Sequence, residues 1–562
     1  MTTRHSPFPG GAALAALLLM LAQGSRAERL FVGILEADSY QSVIYGASAF
    51  SRVADLPIAL EMVSAALAKN MALPSLTGVS VQDALRIVQS VDPALPLTAD
   101  NPANVAIVPL ADNGSALLGA FAAAYKKRTP LAAATLFEEP SDTNLVPRVA
   151  VAIANHHALA SASSAALAWA WENRSRLVDA PSQSIPGTLR VLVNPQRLAD
   201  LLGTRSEKAS TILNVDKLLR DFETFSFALS MDGQALALTV RGKPREQSAL
   251  STLAASLRPP RERFWLGLPD DAFFASLSAC GAPTLWDAYL GTTRIRLLRP
   301  AAELAPPEAF GGERLLYLAP TPDKKGLCFV QIEPVTNAAA VREAIQKLHT
   351  PEAKDGLVLK REAPRRTGDT QIETYGITLQ PPAAGAGAAA RSADPSTLFT
   401  LMSLFLKQAV LETAVANGCL ITAIGPARSL EHELSSLSFP EKPLTLNRKI
   451  SVQDTALAGN LDVGSSLHLA SLLRYIVSIM PGVKPEHLRV LPVGGDGATF
   501  GISQSADRTL TASLRFEANE IAALQRINRD GREVLQELFF QMFASQMLNL
   551  QPPPGAGVGP KP

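Results

Sequence analysis

Alternating apolar and polar positions predict two β-hairpins, each followed by a helix. In FSFALSMDGQALALTV (225–240) the apolar residues fall at every second position on both sides of Asp232-Gly233. Asp-Gly favours the positive backbone φ angles of a two-residue hairpin turn. TFGISQSADRTLTASLRF (499–516) has the same form. Apolar residues at three- and four-residue spacing follow both stretches, and they predict helices that reach residues 257 and 525.

Two longer stretches are apolar at helical spacing. The first, STLFTLMSLFLKQAVLETAVA, predicts a helix over 396–416 because its polar residues form one narrow stripe. The second, EVLQELFFQMFASQML, predicts a helix over 533–548. Such helices usually cover a core. The alternative is a face for an apolar ligand or a protein partner, because Met and Phe adapt to irregular apolar surfaces.

One strand and two more helices are predicted before residue 130. NVAIVPL (104–110) predicts a strand. Residues 113–128 predict a helix with Asn113 as its N-cap and the basic run 126–128 at the negative end of its dipole. The SVQD stretch at 80–83 has the spacing of a capping box, which predicts that a helix begins there.

Four pairs of similar stretches recur in the same order, separated by 271 to 285 residues. The pairs are 28–34 with 313–319, the strand from Val149 with the strand from Leu420, 193–202 with 461–473, and the hairpins around Asp232 and Asp507. This recurrence predicts an internal duplication of about 270 residues. Chance similarity in a chain rich in Ala and Leu is the alternative. We therefore expect an α+β fold of two similar halves, each with antiparallel hairpins covered by helices on one face.

The adjacent residues His156 and His157 raise the question of a metal site. They follow a strand at 149–154 in which Val or Ile alternates with Ala, so that one small face would let a helix approach closely. Asn155 then breaks the alternation and predicts a turn. Neighbouring side chains at a turn rarely converge on one metal, and the matched residues 426–429 include no ligand type. The pair therefore indicates a turn rather than a metal site.

Composition excludes two classes of protein. With 52 basic and 51 acidic residues in 562, the chain has no overall charge that would attract nucleic acid. The three cysteines Cys280, Cys328 and Cys419 are too few for a disulfide scaffold, although a Cys280–Cys328 bridge is possible. Cys419 opens the apolar stretch GCLITAIG, which predicts a buried strand.

Several segments suggest where the chain is processed and divided. Residues 1–27 have a polar head, an apolar run of signal-peptide length and small residues before Ala27, which predicts cleavage there or, as the alternative, an uncleaved anchor. The two halves are then 28–260 and 261–549. The proline- and glycine-rich segments 381–395 and 550–562 predict a flexible linker and a disordered tail.

Familiar catalytic patterns are incomplete in this sequence. EHEL (431–434) lacks the second His of a zinc-protease helix, and GISQS (501–505) lacks the second Gly of a nucleophile elbow. GGDGATFG (494–501) lacks the Lys-Ser/Thr of a phosphate-binding loop and indicates a tight turn before a strand. Asp270-Asp271 fits helix capping. We therefore predict no catalytic residue, no cofactor-binding residue, no metal ligand and no cofactor.

The expected function is that of an exported bacterial-type protein of the periplasm, the cell envelope or the extracellular space. It would be a non-catalytic binding or structural module. One alternative is a hydrolase without a recognisable motif, with Ser503 or the Asp270-Asp271 region in its cleft. The other is a carrier of an apolar ligand. A protein partner or apolar ligand would use helices 396–416 and 533–548. The sequence leaves the ligand and the oligomeric state open.

Overall fold

The computed structural model describes the chain between residues 33 and 536, with gaps. The described residues are 33–56, 64, 67–68, 71–89, 104–142, 145–178, 185–196, 199, 215–258, 269, 271–279, 305–348, 357–379, 409–436, 463–480, 483–534 and 536. The predicted signal peptide 1–27, linker 381–395 and tail 550–562 lie outside the described residues, as do Asp270 and Cys280.

The described residues contain both strands and helices, so the fold is α+β. The strands are β1 (Gly33–Ala37), β2 (Leu85–Gln89), β3 (Asn104–Pro109), β4 (Tyr125–Pro130), β5 (Thr135–Pro140), β6 (Arg148–Ala154), β7 (His157–Ser161), β8 (Leu189–Val193), β9 (Phe222–Met231), β10 (Ala235–Pro244), β11 (Phe274–Ala279), β12 (Glu313–Pro320), β13 (Leu327–Pro334), β14 (Leu357–Arg361), β15 (Arg365–Thr367), β16 (Thr370–Leu379), β17 (Val410–Ala416), β18 (Cys419–Gly425), β19 (Val463–Leu467), β20 (Ala498–Gln504) and β21 (Leu510–Glu517). The α-helices are α1 (Tyr40–Val53), α2 (Ser115–Ala124), α3 (Ser164–Glu172), α4 (Arg174–Val178), α5 (Val215–Arg220), α6 (Ala249–Ser256), α7 (Ala338–Gln346), α8 (Ser429–Ser436), α9 (Leu469–Ile479), α10 (Pro485–Arg489) and α11 (Ala518–Asp530).

The strands form one antiparallel sheet. From one edge their order is β4, β5, β6, β7, β3, β2, β1, β8, β9, β10, β21, β20, β19, β11, β12, β13, β18, β17, β16 and β14, and β15 also pairs with β16. In the middle, β10 pairs with β21 from Ala235–Glu517 to Gly242–Leu510. We call this pairing the junction. It joins strands that are far apart in sequence into one sheet.

Helices cover both faces of the sheet, which corrects the expectation of helices on one face. On the β1–β10 side, α1 and α2 pack against one face through Phe50 and Phe121, while α3 packs against Ala150 and Ala152 on the other. The close approach of α3 confirms the predicted role of the small alanine face of β6. On the β11–β21 side, α7 and α8 likewise lie on opposite faces, with α8 packed through Leu430.

The predicted hairpins are confirmed. The 225–240 hairpin is β9 and β10, and the 499–516 hairpin is β20 and β21. The helices after them are α6 and α11. The buried strand predicted at Cys419 is β18, in which every residue is buried.

Strand β17 overturns the C-terminal part of the predicted 396–416 helix. Val410–Ala416 is a strand that pairs with β16 on one side and β18 on the other. Because helices cover both faces of these strands, β17 is buried on both faces and lacks the alternation of apolar and polar residues that would have distinguished it from a helix. Residues 396–408 lie outside the described residues, and so does most of the predicted helix 533–548.

Two other helix predictions are wrong in part or in whole. The 113–128 helix ends at Ala124, and its basic run 126–128 lies in the extended strand β4. Asp112 caps this helix by accepting hydrogen bonds from the backbone N–H groups of Gly114 (2.7 Å) and Ala116 (3.1 Å). No helix begins at 80–83, because this stretch leads directly into β2.

Candidate functional site

Strand pairing lines up polar side chains across the β11–β21 side of the sheet. Directly paired residues share one face of a sheet. Starting in β19 and ending in β16, the paired residues are Ser465, Ser276, Leu316, Gln331, Thr422, Thr413 and Glu373. We call these seven residues the polar row. All but Leu316 are polar, although the row crosses the middle of a covered sheet.

The centre of the polar row is buried. Gln331 is 3% exposed, Thr422 4% and Thr413 1%. The two threonine hydroxyls lie 3.5 Å apart, and the Gln331 Nε2 donates a long hydrogen bond of 3.3 Å to Glu333 Oε2. The Oε1 atom of Gln331 is buried without a hydrogen-bond partner. An unsatisfied buried acceptor of this kind costs about 1–3 kcal/mol.

Charged side chains lie at one end of the row and beside its centre. Glu373 is buried at the end and accepts two hydrogen bonds from the Arg361 guanidinium, at 2.8 and 3.0 Å. These bonds raise the pKa of Arg361. Beside Gln331, the buried Glu333 has its Oε2 atom 3.9 Å from the Nε atom of Arg314. The row therefore presents carboxylate, hydroxyl and amide groups at one face.

The positions at equal distance on the other side of the junction are apolar except for Thr135. The polar row continues inward through Phe500 to Leu514 in β21, and the row compared with it starts from Val240 in β10. Counted outward, its residues are Val191, Leu35, Ile87, Ala106, Ala160, Val151 and Thr135. We call these the apolar row. Its centre belongs to the hydrophobic core that α1 and α2 cover. One sheet thus carries two rows in equivalent places with opposite chemistry.

A second group of polar side chains lies on the opposite face, beneath α8. The Tyr317 hydroxyl donates a hydrogen bond to the Glu433 carboxylate. Burial raises the pKa of Glu433 and raises that of Tyr317 well above its ordinary value. Burial also raises the pKa of the nearby Cys328 to about 12. Cys328 is therefore a protonated, unreactive thiol at neutral pH.

A buried carboxylate holds the start of α8. Glu412 accepts hydrogen bonds from the backbone N–H groups of Arg428 (2.8 Å) and Leu430 (2.9 Å). The Arg365 guanidinium bridges Glu412 and Glu431. A carboxylate at a helix N-terminus is stabilised by the unpaired N–H groups and by the helix dipole. The Glu412 carboxylate thus positions α8 on the sheet.

Glu520 has a similar role at α9. It accepts a 2.7 Å hydrogen bond from the backbone N–H of Ala470, and the N–H groups of Gly495 and Gly497 also face it. Burial raises the pKa of Glu520, and these N–H groups oppose the shift. A Cβ at Gly495 would lie 2.4 Å from the Glu520 Cα. The GGDGATFG stretch leads into β20, as predicted, with a bend at Asp496, and Gly495 lets Glu520 approach.

Of the residues singled out in the sequence, those that the structure describes do not form a site. Ser503 lies in β20 opposite Thr511, on the face away from the polar row. Asp271 is exposed and close enough to Glu433 to affect its pKa. Asn155 and His156 form a turn with positive φ angles of 47° and 61°. The prediction of a turn is therefore confirmed.

Sequence reasoning missed the polar row. A signal was present in β13, where LCFVQIEP carries Gln331 and Glu333 two positions apart in an apolar strand, and therefore on one face. Thr413 was hidden by the wrong helix prediction at β17.

Among the described residues, no three His, Cys, Asp or Glu side chains are grouped so that they could hold a metal ion. A search of the same residues finds no helix with the length and apolar character to span a membrane.

No protein-family model and no curated protein matches the chain. Among solved structures, the chain is similar to crystal form III of TP0453, with 10% identity over 47% of this chain and 97% of that one. The TM-score is 0.23, which is too low to carry an argument about fold or function.

Proposed function

We propose that this protein is an exported, non-catalytic binding module made of two duplicated halves, and that the buried polar row of the second half is its binding site. The observation that carries the proposal is the contrast between the polar row and the apolar row at equivalent positions of one sheet.

The strand order supports a duplication. Outward from the junction, one side runs β10, β9, β8, β1, β2, β3, β7, β6, β5, β4, and the other runs β21, β20, β19, β11, β12, β13, β18, β17, β16, β14. Strands at equal distance from the junction follow each other along the chain in the same sequence, from β1 and from β11. Chance similarity of single hairpins would not reproduce ten places in order.

The pairing register supports it further. We counted strand by strand outward from the junction and residue by residue along each pairing. In this count Asn155-His156 and Asn417-Gly418 take equivalent positions. All four residues have positive φ angles, from 47° to 74°, and both pairs are tight hairpin turns. Two residues with positive φ are characteristic of the turn that matches the twist of antiparallel strands. The same local geometry therefore recurs at the same place in both halves.

This register revises two of the four sequence matches. The hairpin match and the match of 193–202 with 461–473 join strands in equal places. The match from Val149 to Leu420 pairs β6 with β18, whereas β6 is level with β17. The match of 28–34 with 313–319 pairs β1 with β12, whereas β1 is level with β11. His156 is thus level with Gly418, which still favours a turn.

Each half also covers part of the other. Helix α6 of the first half packs Leu253 in a cluster with Val463 and Ile502 of the second. Helix α11 of the second half packs Ala518 into the core around α1, and Arg529 forms a 2.9 Å ion pair with Asp55. This reciprocal packing resembles an isologous interface between two copies.

The polar row favours binding because the fold does not need it. At Ala106, Ala160 and Val151 the same backbone positions are filled by apolar residues that pack well. Keeping Gln331, Thr422 and Thr413 in the second half therefore gives up stability, and local rules are most often broken at functional sites. Acceptors predominate in this row, so the ligand we propose is a small polar molecule that donates hydrogen bonds.

A non-catalytic role is supported by what the perturbed groups do. The carboxylates of Glu412 and Glu520 bind backbone N–H groups at helix starts, and Glu433 binds Tyr317 under α8. These contacts hold the fold together. Export is supported by the signal-peptide pattern of residues 1–27. N-terminal sequencing of the exported protein is expected to begin at Glu28, and a membrane-bound form that starts before it would contradict cleavage.

The experiment compares the wild type with a variant that carries the first half's residues in the row: Gln331→Ala, Thr422→Ala and Thr413→Val. Both are purified under native conditions and weighed by native mass spectrometry. We expect a small bound molecule on the wild type that the variant lacks. An equal adduct on both proteins, or none on the wild type, would contradict the proposal.

A further inference from the structure

The sheet has two outer edges, at β4 and at β14–β15. Among the described residues, β4 pairs only with β5, and β14 and β15 pair only with β16. An unpaired strand edge exposes backbone N–H and C=O groups that can pair with another chain. The outer edges therefore need a feature that prevents pairing. The inner strands β10 and β21 are an example of two strands that do pair.

Strand β4 carries three consecutive basic residues on its edge. Lys126, Lys127 and Arg128 are all exposed, and Pro130 ends the strand without a backbone N–H. Side chains of a strand alternate between faces, so positive charge lies on both faces of this edge. The one ion pair formed by this run among the described residues joins Lys127 to Glu138 at 3.1 Å.

The β14–β15 edge also carries basic residues and a proline, but they are arranged differently. Lys360, Arg361 and Arg366 are exposed, and Arg361 is paired with Glu373. Arg365 is half-buried and is paired with Glu412. Pro364 interrupts the edge between the two short strands. Basic side chains, inward charges and proline are recognised ways to prevent edge pairing.

The inner edges carry few charges where they meet, and no two charges face each other. Of the eight residue pairs in the junction, five are uncharged, and in the other three Glu517, Arg515 and Arg241 each face an uncharged residue. None of the paired residues is proline. The junction therefore lacks the run of like charges that β4 carries along its edge.

We propose that the basic side chains of β4 and β14–β15 are end stops, which prevent the outer edges from pairing with a second copy of this chain. Two β4 strands that met antiparallel about a two-fold axis at Lys127 would place Lys126 opposite Arg128, with Lys127 opposite Lys127. Like charges directly opposite each other destabilise a strand pair. The inference does not depend on the proposed ligand or on the duplication.

The test replaces the β4 charges in three ways in the full chain. The edge variant is Lys126→Thr, Lys127→Thr and Arg128→Thr, because Thr keeps strand propensity and removes charge. The repelling variant places Glu at the same three positions. The control variant removes three exposed basic residues elsewhere, Lys325→Thr, Lys347→Thr and Arg532→Thr. Light scattering gives the molar mass of each protein over a range of concentrations, and circular dichroism checks its fold.

We expect the wild type, the repelling variant and the control to keep the mass of one chain, and the edge variant to reach at least twice that mass as concentration rises. A folded edge variant that keeps the mass of one chain would overturn the proposal. So would a repelling variant that associates as strongly as the edge variant, since disruption of β4 would then explain the association.

Discussion

Ala106 and Gln331 occupy equivalent places in the sheet, each on the sixth strand outward from the junction. Ala106 belongs to the core that Phe50 of α1 and Phe121 of α2 cover, and its neighbours in the apolar row are equally apolar. Gln331 lies among Thr422, Thr413 and Glu333, with its Oε1 atom unsatisfied. Both rows lie at the same distance from the junction in one continuous sheet, so the two sides of the junction differ here in side-chain chemistry.

This contrast separates what the fold requires from what it tolerates. A continuous antiparallel sheet needs backbone pairing and cover on both faces, and the apolar row meets these needs with apolar side chains at every position but Thr135. The polar row meets the same needs while carrying buried polar groups, which cost stability unless every group is bonded. A ligand that satisfied Gln331 would remove part of that cost.

The largest expected effect is at α6, a helix that follows β10 and packs against strands on the other side of the junction. Leu253→Asp places an unpaired charge in the cluster with Val463 and Ile502. We expect the free energy of unfolding to fall by about 4 kcal/mol, because burying an unpaired charge is among the costliest substitutions. A thermal melt measures it. Ala255→Asp, an exposed position of the same helix, is the control and should change the melt little.

A second substitution moves the polar chemistry into the apolar row. Ala106→Gln should lower the free energy of unfolding by roughly 3 kcal/mol, since it both overpacks the core and buries an unbonded amide. The reverse substitution, Gln331→Ala, should cost clearly less. Urea unfolding of both variants gives the two values. Equal losses would mean that the rows are energetically equivalent and that the contrast has no functional meaning.

Local signals in the sequence were sufficient for the hairpins but not for the sheet order. Asp232-Gly233 marked the turn between β9 and β10, and the alternation around it fixed both strands. Pairing between β10 and β21 joins residues such as Leu238 and Leu514, which are distant in sequence, and no local pattern encodes it. The recurring stretches predict two similar halves, but matches among Ala-rich stretches do not determine which strands pair.

The candidate site was harder to predict because it depends on register. Thr413 and Thr422 become neighbours only when β17 pairs with β18, whereas the sequence predicts a helix at β17. Gln331 joins them through a third strand, β13. A polar residue in an apolar strand is visible in sequence, but its partners are fixed by pairings between segments up to about 190 residues apart, as for Ser276 and Ser465.

The stability that Glu433 contributes should depend on pH. Its pKa is raised by burial, so the folded state prefers the protonated acid. Stability from this group is present below the ordinary glutamate pKa and is lost as the pH rises through the raised value. Glu433→Gln keeps an acceptor for Tyr317 and removes the charge. Denaturant unfolding from pH 4 to pH 8 should show the variant gaining on the wild type as the pH rises. A difference in stability that stays constant over that range would contradict a buried carboxyl group with a raised pKa.

The smallest expected effect tests the centre of the polar row directly. Thr413→Val removes one hydroxyl of a pair that is 3.5 Å apart, a long hydrogen bond, so stability should change by less than about 1 kcal/mol. Val151→Thr, the equivalent exchange in the apolar row, buries a new hydroxyl and should cost about 1–2 kcal/mol. Urea unfolding gives the change in the free energy of unfolding for each of the two variants. If Thr413→Val costs more than Val151→Thr, the threonine hydroxyls stabilise the second half, and its polar row is then explained by structure without a ligand.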